Sequence, residues 1–216
     1  MDIRREVEAT RREVAMRPGE PDGPELTVAT IARTYPTDVA DLWAACTDPE
    51  RVPRWFLPLS GELEVGGHYQ LEGNAGGTIT ACDPPHGFDA TWEFGGQVSW
   101  IEVRITPDGV GARFTLHHIA PVDPEFWGTY GPGAVGVGWD LGLLGLAEHL
   151  RSGVAVSPEE FVAWSVSEEG REFVTAAGFD WGTASEAVGI APDDALARAR
   201  RTIAFYTGAQ APDDAG

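Results

Sequence analysis

His118 is the one residue that combines acid–base chemistry with a place on an apolar strand face. In "GARFTLHHI", Phe114, Leu116 and His118 alternate with Arg113, Thr115 and His117, so the two sets point to opposite sides of a strand. An imidazole that titrates near neutrality can pass a proton to a bound carbonyl. The competing reading is a core histidine satisfied by a carbonyl or hydroxyl partner. Asp140 directly follows Trp139, where it would flank a pocket, but a solvated position is the expected one. A metal site is not expected: His117 and His118 diverge, and Cys46 and Cys82 have no partner at ligand spacing. No nucleophile, base and orienter stand in order, and no cofactor signature is present. "GNAGG" (Gly73 to Gly77) leads into another strand pattern, so it reads as a hairpin rather than a phosphate loop.

The elements that must position His118 are short strands separated by turn signals. "ELTVATIARTY" reads as a first strand, and "PTDVADLWAAC" as a short helix capped by Thr37 or Asp38. "DPERVPRWF" reads as a second short helix or turn. "GELEVGGHYQLEG", "GGTITACDPPHG", "FDATWEF", "SWIEVRITPDG" and "GARFTLHHI" follow with no helix-length crossover, which implies an antiparallel meander. Pro107-Asp108-Gly109, Gly66-Gly67 and Gly95-Gly96 supply the turns. Parity places Phe88, Ala90, Trp92 and Phe94 on one side, joined by Ile101, Val103 and Ile105. One face is covered and the other is wet.

The cover is the stretch "GAVGVGWDLGLLGLAEH". Trp139, Leu143, Leu146 and Leu150 share one face of a helix expected from about Gly136 to Arg151, closed by Gly153. Its interior glycines each cost a helix about 1 kcal/mol relative to alanine. Gly136, Gly138, Gly142 and Gly145 therefore need an offset. Either the backbone packs tightly against a neighbour, or side-chain volume has been removed to make room for a ligand.

Residues 1 to 17 carry "RREV" twice, seven residues apart, with Ile3, Val7, Thr10 and Val14 on one side of an expected helix; "RPGEPDGPE" then reads as linker. Beyond Ser157, "SPEEFVAWSVSEEGREFVTAAG", "FDWGTASEAVG" and "PDDALARARRTIAFYTG" read as three helices of an appendage. The expected division is 1–24 N-terminal helix and linker, 25–153 sheet-and-helix domain, and 154–216 helical extension.

Fifteen basic residues, all arginine, face 34 acidic ones for a net charge of -19. That balance repels phosphate backbones and anionic lipid surfaces, so nucleic acid is not an expected partner. "RARR" at Arg198 to Arg201 is expected to be a solvated helix face. No run of 18 apolar residues exists, so membrane insertion is not expected. Two cysteines make no disulfide framework and no signal-peptide-like segment follows the N-terminus, which makes the cytoplasm the expected compartment. The N-terminal heptads leave monomer and homodimer both open.

In order along the chain, "DPERVPRWF", "VGGHYQLE", "GTITACDPP", "FDATW", "ARFTLHHI" and "GWDLGLLGLAEHL" resemble proteins similar to the activator of the heat-shock-protein-90 ATPase. That family lies in the START-like, polyketide-cyclase-like (SRPBCC) superfamily. The resemblance implies an α+β helix-grip fold, a curved antiparallel sheet wrapped around a long C-terminal helix, here with an added C-terminal helical extension. It also implies a hydrophobic small molecule as partner, held in a cavity between sheet and helix. Carried over by position, the lining is Trp55, Phe56, Tyr69, Leu71, Ile79, Trp92, Phe94, Phe114, Leu116, His118, Trp139 and Leu143. Phe126, Trp127 and Tyr130 would form an entrance lid or pack plainly on the domain. The functions implied are binding or sequestration of an aromatic or polycyclic molecule, cyclase- or hydrolase-like turnover of a polyketide-type substrate through His118, or a co-chaperone-type interaction.

Overall fold

The structure, a computed structural model, describes residues 2–21 and 23–209. Met1, Asp22 and the end of the expected extension from Gln210 onward lie outside the described residues. A short helix α1 (Ile3–Glu8) opens the chain, capped by Asp2, whose carboxylate accepts from the Arg5 backbone N–H. The strand β1 (Thr10–Arg17) follows where the heptad pattern predicted more helix. The reason is a degeneracy: Thr10 and Val14, four residues apart, share a side in a helix and in a strand alike. Arg12 separates the two cases, because only in a strand does it lie on their side, and its side chain is buried.

The next elements are β2 (Leu26–Tyr35), α2 (Val39–Thr47), a single 3-10 turn (Val52–Arg54), β3 (Leu59–Gly61) and β4 (His68–Leu71), in the expected order except that the first part of "GELEVGGHYQLEG", residues 62–67, is not strand. Asp38 caps α2, accepting from the Asp41 N–H at 2.8 Å. Next come β5 (Gly76–Asp83), β6 (Gly87–Phe94), β7 (Gln97–Asp108) and β8 (Gly111–Pro121). The strand order is β1-β2-β8-β7-β6-β5-β4-β3, and each pair from β3 to β8 is antiparallel. The β7–β8 turn is Gly109–Val110, with Pro107 and Asp108 still paired in β7. Gly109 takes φ +60° there, a backbone region that glycine enters without a Cβ penalty. After the sheet come α3 (Pro124–Tyr130), the long helix α4 (Gly133–Ser152), α5 (Pro158–Ser165), α6 (Glu168–Ser185) and α7 (Pro192–Thr207). An antiparallel sheet followed by one long helix, with further helices after it, is the expected α+β helix-grip fold.

The three expected tail helices are present but divided differently. Ser167 accepts from the Gly170 N–H at 3.2 Å and starts a new helix, so "SPEEFVAWSVSEEG" breaks after Ser165. α6 then runs on through "FDWGTAS" to Ser185.

Two compact units form. A helical unit comprises Met1–Ile31, Pro121–Leu141 and Pro158–Gly216; a sheet unit comprises Ala32–Ala120 and Gly142–Ser157. Helix α4 contributes its first half to one and its second half to the other.

In the helical unit, Asp140 is buried, which corrects its expected solvated position. Its carboxylate accepts from Arg12 at 2.7 Å and 3.1 Å and from the Trp181 indole N–H at 2.7 Å. Arg12 also donates to Asp180 at 2.9 Å and to the Val7 and Thr10 carbonyls. A residue placed on a helix by its neighbours' periodicity was thus claimed by a strand 128 positions away. The "RARR" run is likewise only partly solvated: Arg200 is exposed, while Arg201 donates to the Thr129 carbonyl at 2.7 Å. The segment expected as a lid or as plain packing is the helix α3, whose Tyr130 ring meets Phe126 at 5.3 Å and Phe205 of α7 at 5.7 Å.

Candidate functional site: the inward face of the sheet unit

Register fixes which residues share a face. Phe88, Ala90 and Trp92 of β6 lie opposite Val103, Ile101 and Ser99 of β7. Val103, Ile101 and Ile105 lie opposite Leu116, His118 and Phe114 of β8. Ile79 of β5 pairs with Ala90, and Tyr69 of β4 with Gly77. Eight expected lining residues, Tyr69, Leu71, Ile79, Trp92, Phe94, Phe114, Leu116 and His118, belong to the sheet strands, and Trp55 and Phe56 follow the 3-10 turn after α2. Of these, Tyr69, Leu71, Phe114, Leu116 and His118 are buried.

A layer of helix lies against this face. Trp43 of α2 meets Phe88 edge-on at 6.3 Å. Trp55 donates its indole N–H to the Ala45 carbonyl of α2 at 2.9 Å and stacks on Phe56 with ring centres 5.4 Å apart. The second half of α4 joins through its glycines: a Cβ on Gly145 would lie 2.5 Å from the Trp55 carbonyl oxygen, and one on Gly142 would touch the Phe56 ring at 3.4 Å. Leu143 is buried in the same half-helix, and its carbonyl accepts from the Tyr35 hydroxyl at 3.1 Å.

The glycine question has the same answer in the helical unit. A Cβ on Gly136 would fall inside the Trp181 indole, one on Gly138 would lie 2.9 Å from the Tyr206 hydroxyl, and one on Gly133 would lie 2.7 Å from the Thr202 hydroxyl. The protein's own side chains and backbone occupy the volume at Gly133, Gly136, Gly138 and Gly145, and at Gly142 a Cβ would make ordinary contact with the Phe56 ring. The alternative, room left for a ligand at the glycines, is overturned. Trp139 belongs to this unit and is half-buried.

Exposure along the inward face is graded. Phe94, at the Gly95–Gly96 turn, is 58% exposed; Trp92 is half-buried; Ile101, Val103 and Leu116 are buried. At the boundary sit two polar groups. His118 Nε2 and Ser99 Oγ are 2.9 Å apart, and Ser99 Oγ donates to the Trp92 carbonyl at 3.0 Å. With its hydrogen committed to Trp92, the hydroxyl accepts from His118, which places the imidazole proton on Nε2. Trp92 approaches the His118 ring edge-on at 6.1 Å. Burial pushes the His118 pKa down to about 4, so the ring is neutral at pH 7. A neutral ring in this tautomer donates a hydrogen bond from Nε2 and presents Nδ1 as an acceptor.

The phenol of Tyr69 donates to the Thr91 carbonyl at 2.7 Å, and burial raises its pKa. Burial likewise pushes the Cys46 thiol up to about 12, which makes it a poor nucleophile. Among the described residues, no group of three metal-ligating side chains forms a site.

Ser99 is the polar partner that reading the strands for acid–base chemistry missed. Its signal was present: parity puts a lone hydroxyl on the side of Ile101, Val103 and Ile105.

The sequence model of the family described as Activator of Hsp90 ATPase homolog 1-like protein matches residues 36–150. CalU16 from Micromonospora echinospora is 30% identical. Its solution structure superposes with a TM-score of 0.69 over 83% of this chain and 96% of that one. The crystal structure of CalU16 gives 0.58 over 78% and 98%. DynU16, from the dynemicin biosynthetic locus, shares the fold at 21% identity, with a TM-score of 0.55 over 62% of this chain and 49% of that one. No curated protein sequence matches.

Proposed function

The chain belongs to the Activator of Hsp90 ATPase homolog 1-like family, and on that premise we propose that it binds a flat hydrophobic molecule, aromatic or polycyclic, on the inward face of its sheet unit. Membership in this family supports a hydrophobic-ligand-binding or co-chaperone-like role in general. The observation that favours the first is the graded aromatic face. Phe94 and Trp92 offer partly solvated rings at the edge of a buried apolar wall, where a flat ligand removes apolar surface from water. The lining proposed is Trp92 and Phe94 at the rim, with Tyr69, Ile79, Phe114, Leu116 and His118 behind them. His118 takes part as a neutral hydrogen-bonding group rather than as the proton shuttle of a cyclase or hydrolase.

Titration with fluorene, a flat hydrocarbon, tests this through tryptophan emission. A saturable change is expected, weakened roughly tenfold by Trp92→Ala through loss of one ring contact. A well-folded sample that gives no saturable response to fluorene or to larger polycycles overturns the reading. It would leave the co-chaperone role as the better account.

A further inference from the structure

Resting on the ligand-binding reading, we propose that the Ser99–His118 pair is a recognition site for a neutral carbonyl, so that the molecule taken up is a flat ketone, quinone or ester rather than a plain hydrocarbon.

Three other donors of the sheet unit are committed to backbone carbonyls. Tyr35 is bonded to Leu143, Tyr69 to Thr91 and the Trp55 indole to Ala45. Each of these bonds ties one element to the next, and breaking it would leave a buried carbonyl with a lost partner. Ser99 also donates to a backbone carbonyl, that of Trp92, but it differs from those three in carrying a second, side-chain partner, His118. The serine hydrogen turns about the Cβ–Oγ bond at little cost, and its present acceptor, the Trp92 carbonyl, lies within a strand.

A ligand carbonyl arriving beside Ser99 can therefore accept that hydrogen, while His118 Nε2–H continues to donate to Ser99 Oγ. The two bonds then run in series, imidazole to hydroxyl to carbonyl, and each polarises the next. Burial holds the imidazole uncharged, so the pair offers a hydrogen bond without net charge. That suits a neutral carbonyl and does little to offset the desolvation of a carboxylate.

Position completes the argument. Trp92 lies opposite Ser99 in the register, and His118 lies opposite Ile101. A flat ring system laid on the half-buried Trp92 therefore brings a substituent at its inner edge to the hydroxyl. The next inward-facing positions along the strands, Ile101, Val103 and Leu116, are buried and apolar and offer no polar alternative.

The test compares 9-fluorenone with fluorene, which share one ring skeleton and differ in the carbonyl. The intact protein is expected to bind fluorenone about fivefold to tenfold more tightly, the worth of one neutral hydrogen bond. Ser99→Ala is expected to bring that ratio close to one while fluorene affinity stays within about threefold, with His118→Gln as a second variant. The infrared carbonyl stretch of bound fluorenone is expected to move to lower wavenumber in the intact protein and to return toward its apolar-solvent position in Ser99→Ala. Binding of both compounds with equal affinity, or a carbonyl stretch indifferent to Ser99, overturns the inference and leaves the general binding role standing. Binding of neither compound overturns both.

Discussion

His118 and Asp140 are both buried titratable groups, yet they are handled in opposite ways. His118 is kept neutral by burial and meets a hydroxyl, whereas Asp140 meets a guanidinium and an indole N–H. The unfolded histidine titrates near 6.5 and the folded one near 4, so between those values the unfolded chain takes up a proton that the folded chain refuses. Stability from this group is complete above about pH 6.5 and is lost as pH falls toward 4, at up to about 1.4 kcal/mol per pH unit. The melting temperature of the intact protein is thus expected to fall more steeply over that window than that of His118→Gln. Parallel curves for the two proteins would refute the assignment. At Asp140, burial raises the carboxyl pKa against the opposing pull of Arg12. Asp140→Asn leaves the Arg12 guanidinium without its buried carboxylate and is expected to cost about 3 kcal/mol or more in chemical denaturation. Replacing both partners, Arg12→Met with Asp140→Leu, is expected to cost less than that single change, because no uncompensated charge remains.

At the scale of an element, α4 is a helix whose glycines are notches. Alanine at Gly136 gains roughly 1 kcal/mol of helix propensity but drives a methyl into the Trp181 ring, itself fully buried. Overpacking of this kind costs about 1 to 3 kcal/mol, so Gly136→Ala is expected to lower the melting temperature. Gly142→Ala meets only the edge of the Phe56 ring at 3.4 Å and is expected to be neutral or stabilising by up to about 1 kcal/mol. Equal effects at the two positions would mean that the notches are not what the glycines serve. β1 carries the complementary lesson. Its residues were legible as amphipathic, but spacings of four fit helix and strand equally, and pairing beside β2 decided between them.

At the scale of the whole molecule, segments distant in sequence share the interior of a single unit. Among the described residues, the helical unit draws on the N-terminal segment, on Pro121–Leu141 and on the helices from Pro158 to Thr207. Its α6 and α7 place Trp181, Thr202 and Tyr206 against Gly136, Gly133 and Gly138. A chain ending at Ser157 would uncover those notches and strip Asp140 of its indole partner. It is expected to melt at lower temperature and to bind a hydrophobic dye, whereas an unchanged melting curve would show the extension to be a separable appendage. The net charge of -19 belongs to this scale too: no retention on double-stranded DNA is expected even at low salt. Among the described residues, no helix is long and apolar enough to cross a membrane.

Read alone, the sequence determined most strands of the meander, the faces that Ile101, Val103, Ile105, Phe114 and Leu116 share, a cap at Thr37 or Asp38 and the long helix closed by Gly153. These follow from period, turn chemistry and capping, which act over a few residues. Only the tertiary structure decided that Arg12 reaches Asp140, that Trp181 fills the notch at Gly136, and that His118 finds Ser99. Each of those depends on which side chain another part of the chain delivers to a given point. Local spacing carries no record of that delivery, because side chains of similar size and polarity satisfy the same local pattern wherever their eventual partners lie.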